Sequence, residues 1–127
     1  MASRVAVRAY DSTLEDVGIN VIQYSILINT HRMEPVPLAR LAERLEMERT
    51  TLYRALAILE KNCWVKIVSE GEGISKSVSL TSSGTILTKK AETKWKKLHE
   101  AFVKKFGQDG LEQFNEMLSE VREYFKE

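Results

Sequence analysis

A mainly α-helical fold with one small β-hairpin near its middle is the class this sequence predicts. Apolar residues recur at spacings of three and four through residues 3–17, 38–59 and 87–125, the signature of helices with one buried stripe. Residues 64–68 (WVKIV) break that period with an aromatic and β-branched run, and residues 75–80 (SKSVSL) alternate weakly, with a glycine-containing turn between them. The 127 residues, 43% apolar and 29% charged, suit one domain with a helical extension and a modest core.

In the first helix Val7, Tyr10, Leu14 and Val17 share a stripe, and Gly18 stops it. Asn20 is then the expected N-cap of a second helix. Gln23 completes a capping box, Ile19 and Tyr24 are placed for a hydrophobic staple, and the helix should run to about Thr30. Pro35 and Pro37 end it, and Pro37 suits the first position of a third helix, where its missing N–H costs nothing. Leu38, Leu41, Ala42 and Leu45 line that short helix, residues 47–49 break the period, and Leu52, Leu56 and Leu59 open a new stripe. Two helices joined by so short a break have helix-turn-helix spacing, with Met47 as the apolar residue inside the turn and Glu46 where a glycine is usual. With the hairpin directly behind it, the order is that of a winged helix-turn-helix.

Thr81 is placed to cap a long helix whose seam is Leu87, Ala91, Trp95, Leu98 and Phe102. Residues 107–110 read as a turn, with Asp109 and Glu112 as another capping box, and Leu111, Phe114, Leu118, Val121 and Phe125 repeat the seam. Three narrow stripes in one small subunit leave more apolar surface than it can cover, which points to dimerisation through residues 3–17, 87–106 and 111–125. The expected divisions are 1–31, N-terminal dimerisation and linking helices; 32–84, the winged lobe; and 85–127, a long helical hairpin for dimerisation. Leu14, Leu98, Phe102, Phe114, Leu118, Val121 and Phe125 are the candidate dimer contacts.

Several functional classes lose their footing. No nucleophile–base pair, metal-ligand cluster or glycine-rich phosphate loop is present, so an enzyme is not expected, nor a metal or other cofactor. The run at residues 21–28 is too short to span a bilayer, and no secretory start is visible, so the cytoplasm is the expected location. One cysteine, Cys63, excludes an intramolecular disulfide framework and reads as a buried structural thiol. His31 and His99 lack partners at ligand spacing. The net charge of +1 hides segregation: residues 89–108 carry seven lysines against two glutamates, and residues 109–127 carry six acids against two cations. Two helices lying against each other or against a partner's copies explain that better than a nucleic-acid tail.

The segment Leu41-Ala42-Glu43-Arg44-Leu45-Glu46-Met47-Glu48-Arg49-Thr50-Thr51-Leu52-Tyr53-Arg54-Ala55-Leu56, then Leu59-Glu60-Lys61 and Leu80-Thr81-Ser82-Ser83-Gly84, resembles the MarR family of bacterial transcription regulators, and the order of helices matches nearly the whole chain. The resemblance implies a homodimer with intertwined terminal helices that binds double-stranded DNA as a transcriptional regulator, typically a repressor on a pseudo-palindromic operator. It also implies a crevice for small aromatic effectors. The family usually has arginine at the wing tip, where this chain has Ile74, and glycine where it has Cys63. An alternative reading is a winged-helix module that binds another protein and not DNA.

On the second helix of the motif, Arg49, Thr50, Tyr53 and Arg54 fall away from the leucine stripe near the N-terminal end, the end that such motifs insert in the major groove. Arginine suits the paired acceptors of guanine, and Thr50 and Thr51 suit phosphate or a thymine methyl. Ser75 and Lys76 are the wing candidates, with Lys89 and Lys90 near flanking phosphates. Tyr10, Tyr24 and Trp95 lie on stripes that converge at the expected effector crevice.

Overall fold

A computed structural model describes residue 8 and residues 11–69 and 75–124. Val7, Tyr10, Ile74 and Phe125 lie outside the described residues, as do the side chains of Phe102, Asp109, Leu111, Phe114 and Val121.

Residues 11–15 are helical and end in a turn closed by Gly18, whose φ of 83° is open to glycine at little cost. Helix α1, Val21–Met33, follows with its capping box in place. Asn20 Oδ1 accepts from Gln23 N at 2.8 Å, and Gln23 Oε1 accepts from Asn20 N at 3.0 Å. Asp11 Oδ1 accepts a third N–H, from Val21, at 2.9 Å and so ties the preceding segment to α1. The helix continues three residues past the expected end at Thr30. Thr30 is itself fully buried, its hydroxyl donating to the Ile26 carbonyl at 2.7 Å, so a residue of low helical preference is held by the core.

Pro35 does not lead straight into the next helix. Val36–Pro37 forms a short strand, β1, and Pro37 caps helix α2, Leu38–Leu45, one position earlier than expected. Glu46 closes α2 in the left-handed region at φ 54°, and its N–H reaches the Ala42 and Glu43 carbonyls. The turn thus has the geometry that favours glycine, built here with glutamate. Helix α3, Arg49–Lys61, buries Leu52, Leu56 and Leu59 and exposes much of the rest.

Strands β2, Val65–Ser69, and β3, Lys76–Leu80, form the expected hairpin. The sheet has three strands and not two, in the order β1-β3-β2, all antiparallel. Sequence patterning misses β1 because a two-residue strand carries no period. Helix α4, Ser82–Tyr124, is broken at Gly107 (φ 67°, ψ −153°), so the connection expected over residues 107–110 shrinks to one residue.

One core joins all of this. Leu14, Ile26, Leu27, Leu41, Leu52, Leu56, Leu59 and Val78 are buried to the last ångström or nearly so, and the cluster extends to Ala91 on α4. Leu14, expected in a dimer seam, is 0% exposed within its own chain, where it is part of the core. Leu98 and Leu118 are half-buried against the same core. The root of α4 is fastened to the lobe through one threonine. Thr81 Oγ1 donates to the Cys63 carbonyl at 2.6 Å and accepts from Gly84 N at 2.9 Å, and Thr81 N donates to the Trp64 carbonyl at 3.1 Å.

Candidate nucleic-acid interface

The leucine stripe of α3 decides what the helix presents. At 3.6 residues per turn, Thr50 and Arg54 lie on the crest opposite Leu52, Leu56 and Leu59, while Arg49 and Tyr53 lie on the flank toward the wing. Arg49, Thr50, Tyr53 and Arg54 are all exposed, Tyr53 by 44%, and Thr51 is half-buried on the other flank. Exposed tyrosine and arginine at the free N-terminal end of a helix cost a monomer nothing in packing and leave their donors available.

Ser75 and Lys76 come to the same place from the wing. A cleft of about 590 Å³ between α3 and the sheet is lined by Arg49, Tyr53, Ala57, Ser75 and Lys76, with Glu60 at its far end. Six of the seven residues singled out for contact are therefore on two adjoining surfaces, the α3 crest and the cleft, and only Thr51 lies off them. Lys89 and Lys90 are exposed on α4. Glu60 is the residue sequence reasoning passed over; it shares the flank of Arg49 and Tyr53 at helical spacing.

A second concavity lies between α1 and α4. Tyr24 and Trp95, two of the three aromatics expected to converge, stack with centroids 5.0 Å apart and planes at 29°. They line a crevice of about 200 Å³ with Ser25, Ile28, Asn29, Arg32, Glu92, Lys96 and Leu118. Arg32 and Glu92 face each other across it at 3.8 Å. Burial pushes the Tyr24 phenol up to about 12; the Glu92 charge adds to the rise and Arg32 opposes it. Arg32 and Glu92 escaped the sequence reading, although Arg32 follows Tyr24 and Ile28 at four-residue steps along α1.

Cys63 corrects another expectation. It is exposed, not buried, and it sits at φ 63°, in the left-handed region. The glycine-favouring backbone that the family pattern implies is present, and the turn turns the thiol outward. His31 pairs with Glu34, Nδ1 to Oε2, at 3.3 Å. Among the described residues, no group of three His, Cys, Asp or Glu side chains is placed to hold a metal ion, and no helix is long and apolar enough to cross a membrane.

This fold, with α3 offered beside a three-stranded wing, defines a winged helix-turn-helix protein. Residues 23–75 match the family described as an HTH domain. Within that class the chain takes the fold of the MarR-family transcriptional regulators, as its motifs led one to expect. The Mycobacterium tuberculosis transcriptional regulator MosR, solved in complex with DNA, is similar at 25% identity, with 97% of this chain and 91% of that one covered and a TM-score of 0.77. A mutant of Escherichia coli MarR, complexed with operator DNA, matches at 20% identity over 93% of this chain and 86% of that one, with a TM-score of 0.75. CouR from Rhodococcus jostii RHA1, bound to p-coumaroyl-CoA, matches at 17% identity over 95% and 86%, also at 0.75. No curated protein matches the chain in sequence.

Proposed function

We propose that the protein is a DNA-binding transcriptional regulator acting as a homodimer, with α3 reading the major groove of each half of a pseudo-palindromic site. The observation that carries this is the pairing of an exposed α3 crest, Thr50 and Arg54, with a cation-bearing cleft of Arg49, Ser75 and Lys76. A crest residue meets base edges, so Arg54 supplies readout, and Thr50 and Thr51 meet a thymine methyl or phosphate. Arg49, Tyr53, Ser75 and Lys76 hold the strand that passes between helix and wing, which sets register and not sequence. With Ile74 where the family usually has its wing arginine, the wing acts through Ser75 and Lys76. The similar structures bound to DNA support this reading, and the operation of two heads requires the 85–127 hairpin and the N-terminal helix to join two copies through Leu98, Phe102, Phe114, Leu118, Val121 and Phe125. The crevice of Tyr24 and Trp95, with Tyr10 on the adjoining N-terminal stripe, is the seat for a small aromatic effector, and a protein of this type works in the cytoplasm.

Selection from random duplex DNA tests the whole reading. An inverted repeat with half-sites about one helical turn apart, bound with a steep salt dependence, is expected. On the selected site, Arg54→Ala should cost about 1–3 kcal/mol and relax preference at one position of each half-site. Lys76→Ala should weaken all sequences alike and lower the salt slope by about 1 per subunit. No recovered site, or two variants with wild-type affinity, would refute it.

A further inference from the structure

The cleft between α3 and the sheet is lined by cations and, at the far end of its helical wall, by an acid. Arg49, Tyr53, Ala57 and Glu60 follow one another along α3 at steps of four, four and three, so one flank of the helix forms that wall from end to end. Arg49 opens α3 and Glu60 lies in its last turn, about 16 Å further along the axis. Nothing local favours an acid there. The last turn is the negative end of a helix, which disfavours a carboxylate. Leu56, Ala57, Cys63 and Trp64 hold the positions three and four residues away, so no cation stands at pairing distance along the chain. Glu60 is exposed, and among the described residues no ion pair engages it. Salt screens a charge within about 8 Å, so Arg49 does not mask the carboxylate from across the cleft.

We propose that Glu60 is a specificity-determining residue of DNA recognition: it closes the far end of the cleft to phosphate, so that α3 docks with its N-terminal end toward the duplex. Each DNA strand carries a phosphate about every 3.4 Å of duplex axis, so a strand lying along the whole cleft would set phosphate beside both ends. Arg49 attracts it at one end and Glu60 repels it at the other. On an operator, Thr50 and Arg54 engage base edges and the helix enters by its N-terminal end, which keeps the last turn away from the backbone. On unrelated DNA no base contact fixes that tilt, and the protein settles wherever its cations meet most phosphates. Postures that lay α3 along the backbone then press Glu60 against phosphate, and binding weakens. The acid penalises the wrong complex more than the right one, which widens specificity without adding a contact to the operator. This rests on the DNA-binding reading given above and adds the residue that sets the ratio of operator to non-operator binding.

The test is fluorescence anisotropy of the full chain on two labelled duplexes: the site recovered by selection, and a scrambled duplex of equal length and composition. Glu60→Gln should tighten binding to the scrambled duplex about three- to tenfold and to the selected site less than about twofold, narrowing the ratio between them. Its salt dependence should steepen on the scrambled duplex and hold on the selected one. Glu100→Gln removes an exposed acid on α4, outside the cleft, and should leave that ratio as in wild type. Glu60→Gln replaces an exposed, unpaired acid by its neutral isostere, and circular dichroism should find it melting no lower than wild type. If Glu60→Gln tightens both duplexes alike, or changes the ratio no more than Glu100→Gln does, the acid acts only as net charge. That result overturns the proposal and leaves the DNA-binding reading standing. Unchanged affinity on both duplexes overturns it equally, since phosphate then never reaches that end of the cleft. If selection recovers no site and no form binds either duplex, the DNA-binding reading falls and the proposal with it.

Discussion

The carboxylate Oε1 of Glu34 accepts a hydrogen bond from the backbone N–H of Leu80 at 3.2 Å, across 46 residues of chain. Strand β1 pairs Val36 with Val78, and two further steps in that register set Glu34 opposite Leu80. Pro35 stands between them and prevents the strand from continuing as a regular ladder. The Glu34 side chain thus does for β3 what a backbone carbonyl would otherwise do, and its other oxygen takes His31. This side chain ties the end of α1 to the sheet.

Removing that acceptor leaves a part-buried N–H without its partner, so Glu34→Ala should lose about 1–3 kcal/mol in urea unfolding. Glu34→Gln keeps an oxygen in place and should lose well under half as much. Equal losses in the two variants would mean that charge, not the acceptor, matters at this position.

Gly84 sits in the first turn of α4, where a Cβ would overlap the Trp64 carbonyl. Gly84→Ala must push the strand and helix apart, breaking the Thr81 fastening beside it. A loss of about 2 kcal/mol or more is expected in thermal unfolding, against the usual gain from alanine inside a helix.

Cys63 bears the strain of a left-handed backbone without the freedom of glycine. Cys63→Gly should raise stability by about 0.5–1 kcal/mol, the relief of the Cβ clash less the added disorder of the unfolded chain. Unfolding in guanidinium with reductant present reads it directly; a loss would show that the side chain contributes more than its backbone costs.

The Tyr24 phenol ionises near 10.0 in the unfolded chain and is pushed up to about 12 in the fold. Between those values the unfolded chain has shed a proton that the folded chain still holds, so stability falls as pH rises from 10 toward 12 and levels off above. The drop attributable to this residue is on the order of 2–3 kcal/mol. Tyr24→Phe, which keeps the stack on Trp95, should show a shallower decline over that window than wild type. Identical alkaline profiles would show that the phenolate is tolerated in the crevice.

The helices were legible because each has a period and a stop. The leucine stripes of α2 and α3, the Asn20–Gln23 box, Thr81 as a cap and Gly18 as a terminator are all local devices, and local devices are written in adjacent residues. Cys63 and Glu46 show the same logic from the other side. Both hold the left-handed positions of their turns; the need at Glu46 was readable from the helix-turn-helix spacing and the need at Cys63 from the family resemblance, although neither residue was the one expected. The Cys63 thiol was placed wrongly because cysteine is commonly buried, and composition gives no notice that a turn will face it outward.

What lay beyond the sequence was every relationship between segments far apart in the chain. Strand β1 exists only because Val36 finds Val78, and Glu34 matters only because Leu80 arrives opposite it. Arg32 and Glu92 are unremarkable helix residues until α1 and α4 are laid side by side. Leu14 was assigned to a partner because a stripe does not say which surface covers it, and here its own chain does so completely. Periodicity along the chain determined the helices, their caps and the crest that α3 presents, since these depend on contacts within a few residues. Packing alone decided the cleft, the crevice and the third strand, since side-chain spacing carries no information about which distant face will meet it.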